Sequence, residues 1–188
     1  QGFLANAIGN HSIAQGTYAK AGTSETIAMG YASNATAHQA ISIGSNATST
    51  DLSAIAIGTS ANATVHEAIS IGNTTNATGE AAVTIGRYSN ATALQALAFG
   101  SYANATAISA ISIGALTNAT AIGATALGHH SRAGGSWATA IGAESQALGD
   151  YSFAQGYLSN ASGDSSIAIG NVSQASNQNA IAIGNQSS

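Results

Sequence analysis

The side chains that could do chemistry in this chain are histidines, serines and a few carboxylates. Histidine occurs five times, at His11, His38, His66, His129 and His130, among many serines and seven acidic residues. Hydrolysis by a nucleophilic serine would need one of these histidines beside a serine and oriented by a buried carboxylate. No G-x-S-x-G turn or comparable local motif joins such groups. The sequence therefore predicts a protein that is not an enzyme and that uses no cofactor.

These residues belong to a repeat of 14 residues that is marked by glycine. The marker glycines are Gly2, Gly16, Gly30, Gly44, Gly58, Gly72, Gly86, Gly100, Gly114, Gly128, Gly142, Gly156, Gly170 and Gly184. An uninterrupted short repeat predicts a solenoid of about 13 coils, whose function is carried by columns of equivalent side chains. His38 and His66 then lie two coils apart, about 9.5 Å, which is too far to share a metal ion. We therefore predict no metal site.

Composition excludes several classes of protein. With three basic and seven acidic residues, the chain cannot neutralise a run of phosphates, so it is not a nucleic-acid binder. It has no cysteine, which excludes disulfides and thiolate metal sites. No apolar run reaches the roughly 18 residues of a membrane span, so we expect contact with a membrane only through an anchor outside this sequence. Because the chain starts and stops within a repeat, we interpret residues 1–188 as a single repeat domain without its stalk, neck and anchor.

Each 14-residue repeat contains two short segments with the alternation of β-strands. Residues 54–58, Ala-Ile-Ala-Ile-Gly, alternate large and small side chains, and residues 61–64, Ala-Asn-Ala-Thr, alternate alanine with polar side chains. A period of two predicts strands, with alanine of the second segment inside the coil and Asn and Thr outside. Large apolar side chains usually lie inside, so we expect isoleucine to fill the roll. The isoleucines so predicted are Ile41, Ile43, Ile55, Ile57, Ile69, Ile71, Ile111 and Ile113.

The small residues between these isoleucines would then form a flat outer column. Such a column allows a second backbone to approach closely, so we predict a homo-oligomer of rolls packed side by side. The alternative is a solvent-facing column of small residues. Gln15 and Gln155 replace an isoleucine and are predicted to be buried with polar partners. The candidate interface residues are Ala56, Ala98, Ala126, Ala140 and Ala168.

The pentads "AIAIG" and "AISIG", spaced by 14 residues and joined by "SNATA"-like links, resemble the head repeats of trimeric autotransporter adhesins of the YadA type. The resemblance covers essentially the whole chain. It implies an all-β fold, a left-handed parallel β-roll, with three chains packed around an axis. It also implies display on the cell surface, from the outer membrane of a Gram-negative bacterium. The partners implied are host matrix proteins such as collagen, fibronectin or laminin, or another cell surface, with autoagglutination as a further outcome.

The outward polar residues form a regular grid that could contact an extended ligand. Three readings remain open for this grid: a ligand surface, plain packing between coils, and an ice-binding plane. A structural segment of a trimeric phage or viral fibre is a further alternative for the whole chain. In residues 45–48 the Asn-Ala-Thr triplet is displaced by two positions, which places it in a turn. The candidate ligand residues are Thr64, Thr78, Thr92, Thr106, Asn76, Asn90 and Asn104.

Overall fold

The computed structural model describes residues 2–188 and shows one coil repeated with a period of 14 residues. Each coil consists of a three-residue strand, a turn, a two-residue strand and a second turn. The chain divides into two compact units, Gln1–Gln95 and Ala96–Ser188. Residues 2–188 contain no helix, and hence no helix that is long and apolar enough to cross a membrane. The predicted all-β parallel solenoid is confirmed.

In the first unit the three-residue strands pair in parallel to form what we call the long-strand sheet, and the two-residue strands form the short-strand sheet. The long-strand sheet contains β2 (Ile13–Gln15), β4 (Ile27–Met29), β6 (Ile41–Ile43), β8 (Ile55–Ile57), β10 (Ile69–Ile71) and β12 (Val83–Ile85). The short-strand sheet contains β1 (Asn6–Ala7), β3 (Lys20–Ala21), β5 (Asn34–Ala35), β7 (Thr48–Ser49), β9 (Asn62–Ala63), β11 (Asn76–Ala77) and β13 (Asn90–Ala91).

The second unit has the same two parallel sheets. Its long-strand sheet contains β14 (Leu97–Phe99), β16 (Ile111–Ile113), β18 (Thr125–Leu127), β20 (Thr139–Ile141), β22 (Phe153–Gln155), β24 (Ile167–Ile169) and β26 (Ile181–Ile183). Its short-strand sheet contains β15 (Asn104–Ala105), β17 (Asn118–Ala119), β19 (Arg132–Ala133), β21 (Gln146–Ala147), β23 (Asn160–Ala161) and β25 (Gln174–Ala175). Within each unit, paired residues are 14 positions apart, so equivalent side chains stack in columns.

The two turns of a coil have the same geometry. At the first edge, which follows the marker glycine, the Ala61 N–H donates to the Gly58 carbonyl oxygen at 3.4 Å, and Ser60 has φ 54°. At the second edge, which returns the chain to the long strand, the Ala68 N–H donates to the Val65 carbonyl oxygen at 3.2 Å. There Glu67 has φ 57°. A positive φ at the third residue is the mark of a type II turn. Each coil is therefore two similar halves of seven residues.

The marker glycine is required at the end of each long strand. Gly58 has φ 130°, a conformation that only glycine adopts readily. A Cβ atom on Gly58 would lie 2.0 Å from the carbonyl oxygen of Gly72 in the next coil. The positive φ and the stacking of coils are therefore two separate reasons for the repetition of this glycine.

The interior of each coil is filled by four small side chains. In one coil of the first unit these are Ala54, Ala56, Ala61 and Ala63, all 0% exposed. The largest fully buried side chains among residues 2–188 are threonines. In the second unit the Ser112 hydroxyl accepts a hydrogen bond from the Asn104 N–H at 3.2 Å, so the two sheets are one serine side chain apart. No isoleucine fits in a gap of this width.

The predicted assignment of the two faces of the long strand is therefore wrong. The isoleucines that were predicted to fill the roll lie on its outer face and are half-buried, while the small residues between them lie inside. The predicted interface residues Ala56, Ala98, Ala126, Ala140 and Ala168 are each 0% exposed and cannot face a neighbouring chain. Residue size was the wrong criterion, because the narrow coil admits only small side chains.

Two departures from the repeat have different outcomes. Gln15 and Gln155 were predicted to be buried, but both lie on the outer face of the long-strand sheet and are exposed, so that prediction is wrong. The prediction for the displaced triplet holds only for its first residue: Asn46 lies in a turn with φ 55°, whereas Thr48 lies in β7 and pairs with Asn62 in the short-strand sheet.

Candidate functional site

The outer face of the long-strand sheet is mainly apolar and only half covered, with one polar residue in each of β2, β18, β20 and β22. In the first unit Ile55 stacks on Ile69, and Ile57 stacks on Ile71, in two columns along the sheet. In the second unit Phe99 and Leu127 in the same face are exposed. A large exposed apolar patch on a folded chain usually marks an interaction surface. This outer face is therefore the first candidate site.

The outer face of the short-strand sheet carries a ladder of asparagine amides. The Asn62 Nδ2 donates to Asn76 Oδ1 at 2.8 Å, and the Asn76 Nδ2 donates to Asn90 Oδ1 at 3.0 Å. In the second unit the Asn104 Nδ2 donates to Asn118 Oδ1 at 3.0 Å. These amides hold neighbouring coils together, so the predicted ligand residues Asn76, Asn90 and Asn104 have a structural role whatever else they do.

The predicted threonine column follows the asparagine ladder directly. Thr64, Thr78 and Thr92 are partly buried in the first unit, and Thr106 is exposed in the second. Backbone pairing fixes their positions: the Thr78 N–H donates to the Ala91 carbonyl oxygen, and the Thr106 N–H to that of Ala119, both at 3.1 Å. The result in each unit is a regular, rigid array of hydroxyl and amide groups. Its use as a ligand surface stays a prediction.

The histidines do not form a site with other catalytic groups. His129 and His130 stack on each other at 4.8 Å between ring centroids in a first-edge turn, and both are exposed. The His66 Nε2 lies 3.9 Å from Glu67 Oε1 at the second edge, with both side chains in contact with solvent. Across residues 2–188 no three His, Asp or Glu side chains are placed to hold a metal ion. What the structure offers to a partner is therefore extended surface.

The apolar outer face was not predicted from the sequence. The signal was present, because each coil supplies four small residues at alternating positions in its two strands, enough to fill a thin interior. Hydrophobicity alone directed the larger residues inward instead.

The repeat matches a known family along most of the chain. The YadA head domain repeat matches residues 24–47, 50–75, 77–103, 91–117, 105–131, 133–159 and 161–187. The chain belongs to the YadA head-repeat family. The resemblance predicted from the pentads is thus confirmed, and the chain is a YadA-type adhesin head.

The chain is also similar to a solved structure. The crystal structure of the collagen-binding domain of the Yersinia adhesin YadA is 26% identical, with a TM-score of 0.49. That match covers 81% of this chain and 69% of the other. No curated protein matches the sequence.

A YadA-type head is the surface-exposed part of an adhesin. The family match gives no support to the fibre-segment or ice-binding alternatives.

Proposed function

We propose that this head attaches a bacterial cell to host extracellular matrix, such as collagen, fibronectin or laminin, or to another cell, with autoagglutination as one outcome. The observation that carries the proposal is the run of head repeats matched from residue 24 to residue 187. Binding requires no catalysis and no cofactor. Both units carry the same coil, and residues 1–188 serve as one head domain. The outer membrane of a Gram-negative bacterium is the proposed location, on the same family grounds.

Three copies of the chain pack through the outer face of the long-strand sheet in this proposal. The columns that contain Ile55, Ile57, Ile69 and Ile71 leave each isoleucine half in water in the single chain. Removing the remaining surface of one such side chain from water contributes about 1 kcal/mol. The column repeats that contribution in each coil that has an apolar residue at the position. This face replaces the alanine column as the proposed interface of the homotrimer.

The array of Thr64, Thr78 and Thr92 is the proposed ligand surface of the first unit, with Asn76 and Asn90 beside it. Thr106 and Asn104 continue the pattern in the second unit. Each hydroxyl or amide makes a weak contact with an extended matrix protein. Because three chains and many heads act together, avidity exceeds the affinity of one patch.

The trimer is tested by sedimentation equilibrium of the native protein and two variants. The native particle is expected at three times the 18.3 kDa of one chain. Ile57→Asp places a charge in the proposed interface and should give a folded monomer. Thr64→Asp places the same charge on the opposite outer face and should leave the mass unchanged. A native monomer, or a trimer that survives Ile57→Asp, would contradict this interface.

Adhesion is tested by binding of the native oligomer to immobilised collagen, fibronectin and laminin. Replacement of Thr64, Thr78 and Thr92 by lysine should reduce binding while the oligomer mass stays the same. The matched control carries three lysines at the first edge, in place of Asn46, Ser60 and Thr74. If native protein binds none of the three matrix proteins, the proposed partner class is wrong. If the control loses binding equally, the ligand surface is wrongly placed.

A further inference from the structure

The second edge of the second unit presents large apolar side chains from successive coils. Ile108, Ile122, Trp137 and Tyr151 are 47%, 49%, 58% and 66% exposed. Backbone hydrogen bonds connect these coils: the Gly123 N–H donates to the Ile108 carbonyl oxygen at 3.0 Å, and the Trp137 N–H to that of Ile122 at 2.8 Å. We call Ile108, Ile122, Trp137 and Tyr151 the aromatic edge. It is separate from both outer sheet faces.

The indole of Trp137 packs in the space that is left because Gly123 has no side chain. Gly123 lies at the left-handed turn position of the preceding coil, with φ 65°. At the equivalent position of the other coils in residues 2–188, the residue has a side chain. A Cβ on Gly123 would lie 2.4 Å from Cε3 and 2.6 Å from Cζ3 of Trp137. The indole therefore packs against the backbone of the preceding coil and is held there while more than half of it faces solvent. Tyr151 follows in the next coil, where its N–H donates to the Ser136 carbonyl oxygen at 2.8 Å.

Two carboxylates are fixed beside these rings. The Ser136 N–H donates to Asp150 Oδ1 at 2.7 Å, and the Asp150 N–H donates to Asp164 Oδ1 at 3.0 Å. Both aspartates are exposed, and neither forms an ion pair within residues 2–188. Oδ1 of each aspartate accepts a backbone hydrogen bond. The other carboxylate oxygen of each is therefore available to a partner.

The charge of the second edge has one sign. In both units it carries acidic side chains and neither lysine nor arginine, since Lys20 and Arg132 lie in short strands and Arg87 lies at the first edge. The second-edge acids are Glu25, Asp51, Glu67 and Glu80 in the first unit and Asp150 and Asp164 in the second; the remaining acid, Glu144, lies at the first edge. The aromatic edge therefore combines apolar area with negative charge. The nearby Arg132, whose Nε lies 4.0 Å from the position of a Cβ on Gly134, forms no ion pair with Asp150 or Asp164 within residues 2–188.

We propose that the aromatic edge binds a segment of a partner protein in which arginine or lysine alternates with apolar residues. The apolar side chains of that segment cover Ile108 and Ile122. Its cationic groups pack on the faces of Trp137 and Tyr151 and pair with Asp150 and Asp164. Rigid aromatic anchors beside exposed carboxylates are the arrangement that such a segment needs. This site goes beyond the proposed contact through threonine and does not depend on which matrix protein that contact selects.

The emission of Trp137 measures binding directly, because it is the single tryptophan of the chain. The probes are acetyl-(Arg-Ile)3-amide, acetyl-(Glu-Ile)3-amide and maltohexaose, titrated into the native oligomer. We expect a saturable change of emission with the arginine peptide, weakened by salt, and none with the other two probes. An equal response to both peptides, no response to the arginine peptide, or a response to the oligosaccharide alone would overturn the proposal.

Matched variants locate the site. Asp150→Asn and Asp164→Asn keep the oxygen that accepts the backbone hydrogen bond but remove the charge. Each should therefore weaken binding of the arginine peptide about two- to fivefold. Tyr151→Ala should weaken it about tenfold. Glu144→Gln removes an acid of the same unit at the first edge and should have no effect. A change of oligomer mass in Tyr151→Ala would mean that another copy of the chain covers this edge, which would also overturn the proposal.

Discussion

The Ser42 hydroxyl accepts a hydrogen bond from the backbone N–H of Asn34 at 3.3 Å and donates one to the Ala47 carbonyl oxygen at 2.7 Å. Ser42 lies in a long strand and Asn34 in a short strand, so one oxygen beyond Cβ spans the interior of the coil. The Ser42 hydroxyl is removed from water but remains paired through these two bonds. The distance between the sheets therefore sets the size of every inward residue, and it explains a core of alanine, serine and threonine.

Enlarging an inward residue should unfold the roll, whereas the same change on the outer face should not. Ala56→Leu adds three carbons to a fully buried position between two closely spaced sheets. We expect it to lower the free energy of unfolding by about 3 kcal/mol or more, because the backbones must separate. Ile57→Leu, at the neighbouring outward residue, should change it by less than about 1 kcal/mol. Thermal unfolding followed by circular dichroism measures both, and equal effects would contradict the assignment of faces.

The marker glycine should not tolerate even one added methyl group. Gly58→Ala introduces a Cβ 2.0 Å from the Gly72 carbonyl oxygen at a residue with φ 130°. We expect a loss of more than about 3 kcal/mol from steric overlap and backbone strain together. Ser60→Gly, two residues later at φ 54°, is the control and should be neutral or slightly stabilising. Chemical denaturation compares the two, and a stable Gly58→Ala protein would be inconsistent with the tight stacking of coils.

Side chains at the left-handed turn positions should differ in their effect on the stability of the protein. Thr74 has φ 53°, which is unfavourable for a β-branched residue, while Asn46 has φ 55° at the equivalent position two coils earlier. Thr74→Asn should therefore raise the free energy of unfolding by about 1 kcal/mol, because asparagine adopts this conformation more easily. The reverse change, Asn46→Thr, should lower it by a similar amount. Shifts of the same sign in the two variants would contradict the explanation.

The asparagine ladder should contribute to stability only where it is continuous. Asn76→Ala removes the bonds to Asn62 and Asn90 and should cost about 1–2 kcal/mol. Asn34 occupies the same column, but its neighbours in the sheet are Lys20 and Thr48, so Asn34→Ala should cost clearly less. Denaturant unfolding of the two variants provides the comparison. An equal loss would indicate that the amides stabilise the coil individually and not through the ladder.

The sequence by itself determined the repeat, the strands and the turns. The period of 14 follows from the marker glycines, and the two strands of each coil follow from alternation that is interrupted by turn residues. The turn position of Asn46 was also predictable, because glycine fixes the register of each coil, whereas the place of Thr48 in a strand was not predicted. The family was also predictable, since the pentads recur at constant spacing. All of these are local properties of the chain.

Only the tertiary structure decided which face of the long strand is inside. Alternation defines two faces of a strand but does not show which face lies inside the coil. The usual preference for large apolar residues inside predicted Ile57 inside and Ala56 outside. The separation of the sheets, which no single coil of sequence states, reverses that order. The seat of Trp137 on Gly123 likewise depends on contact between residues 14 positions apart. These features arise from stacking, so they required the packed coils to be seen together.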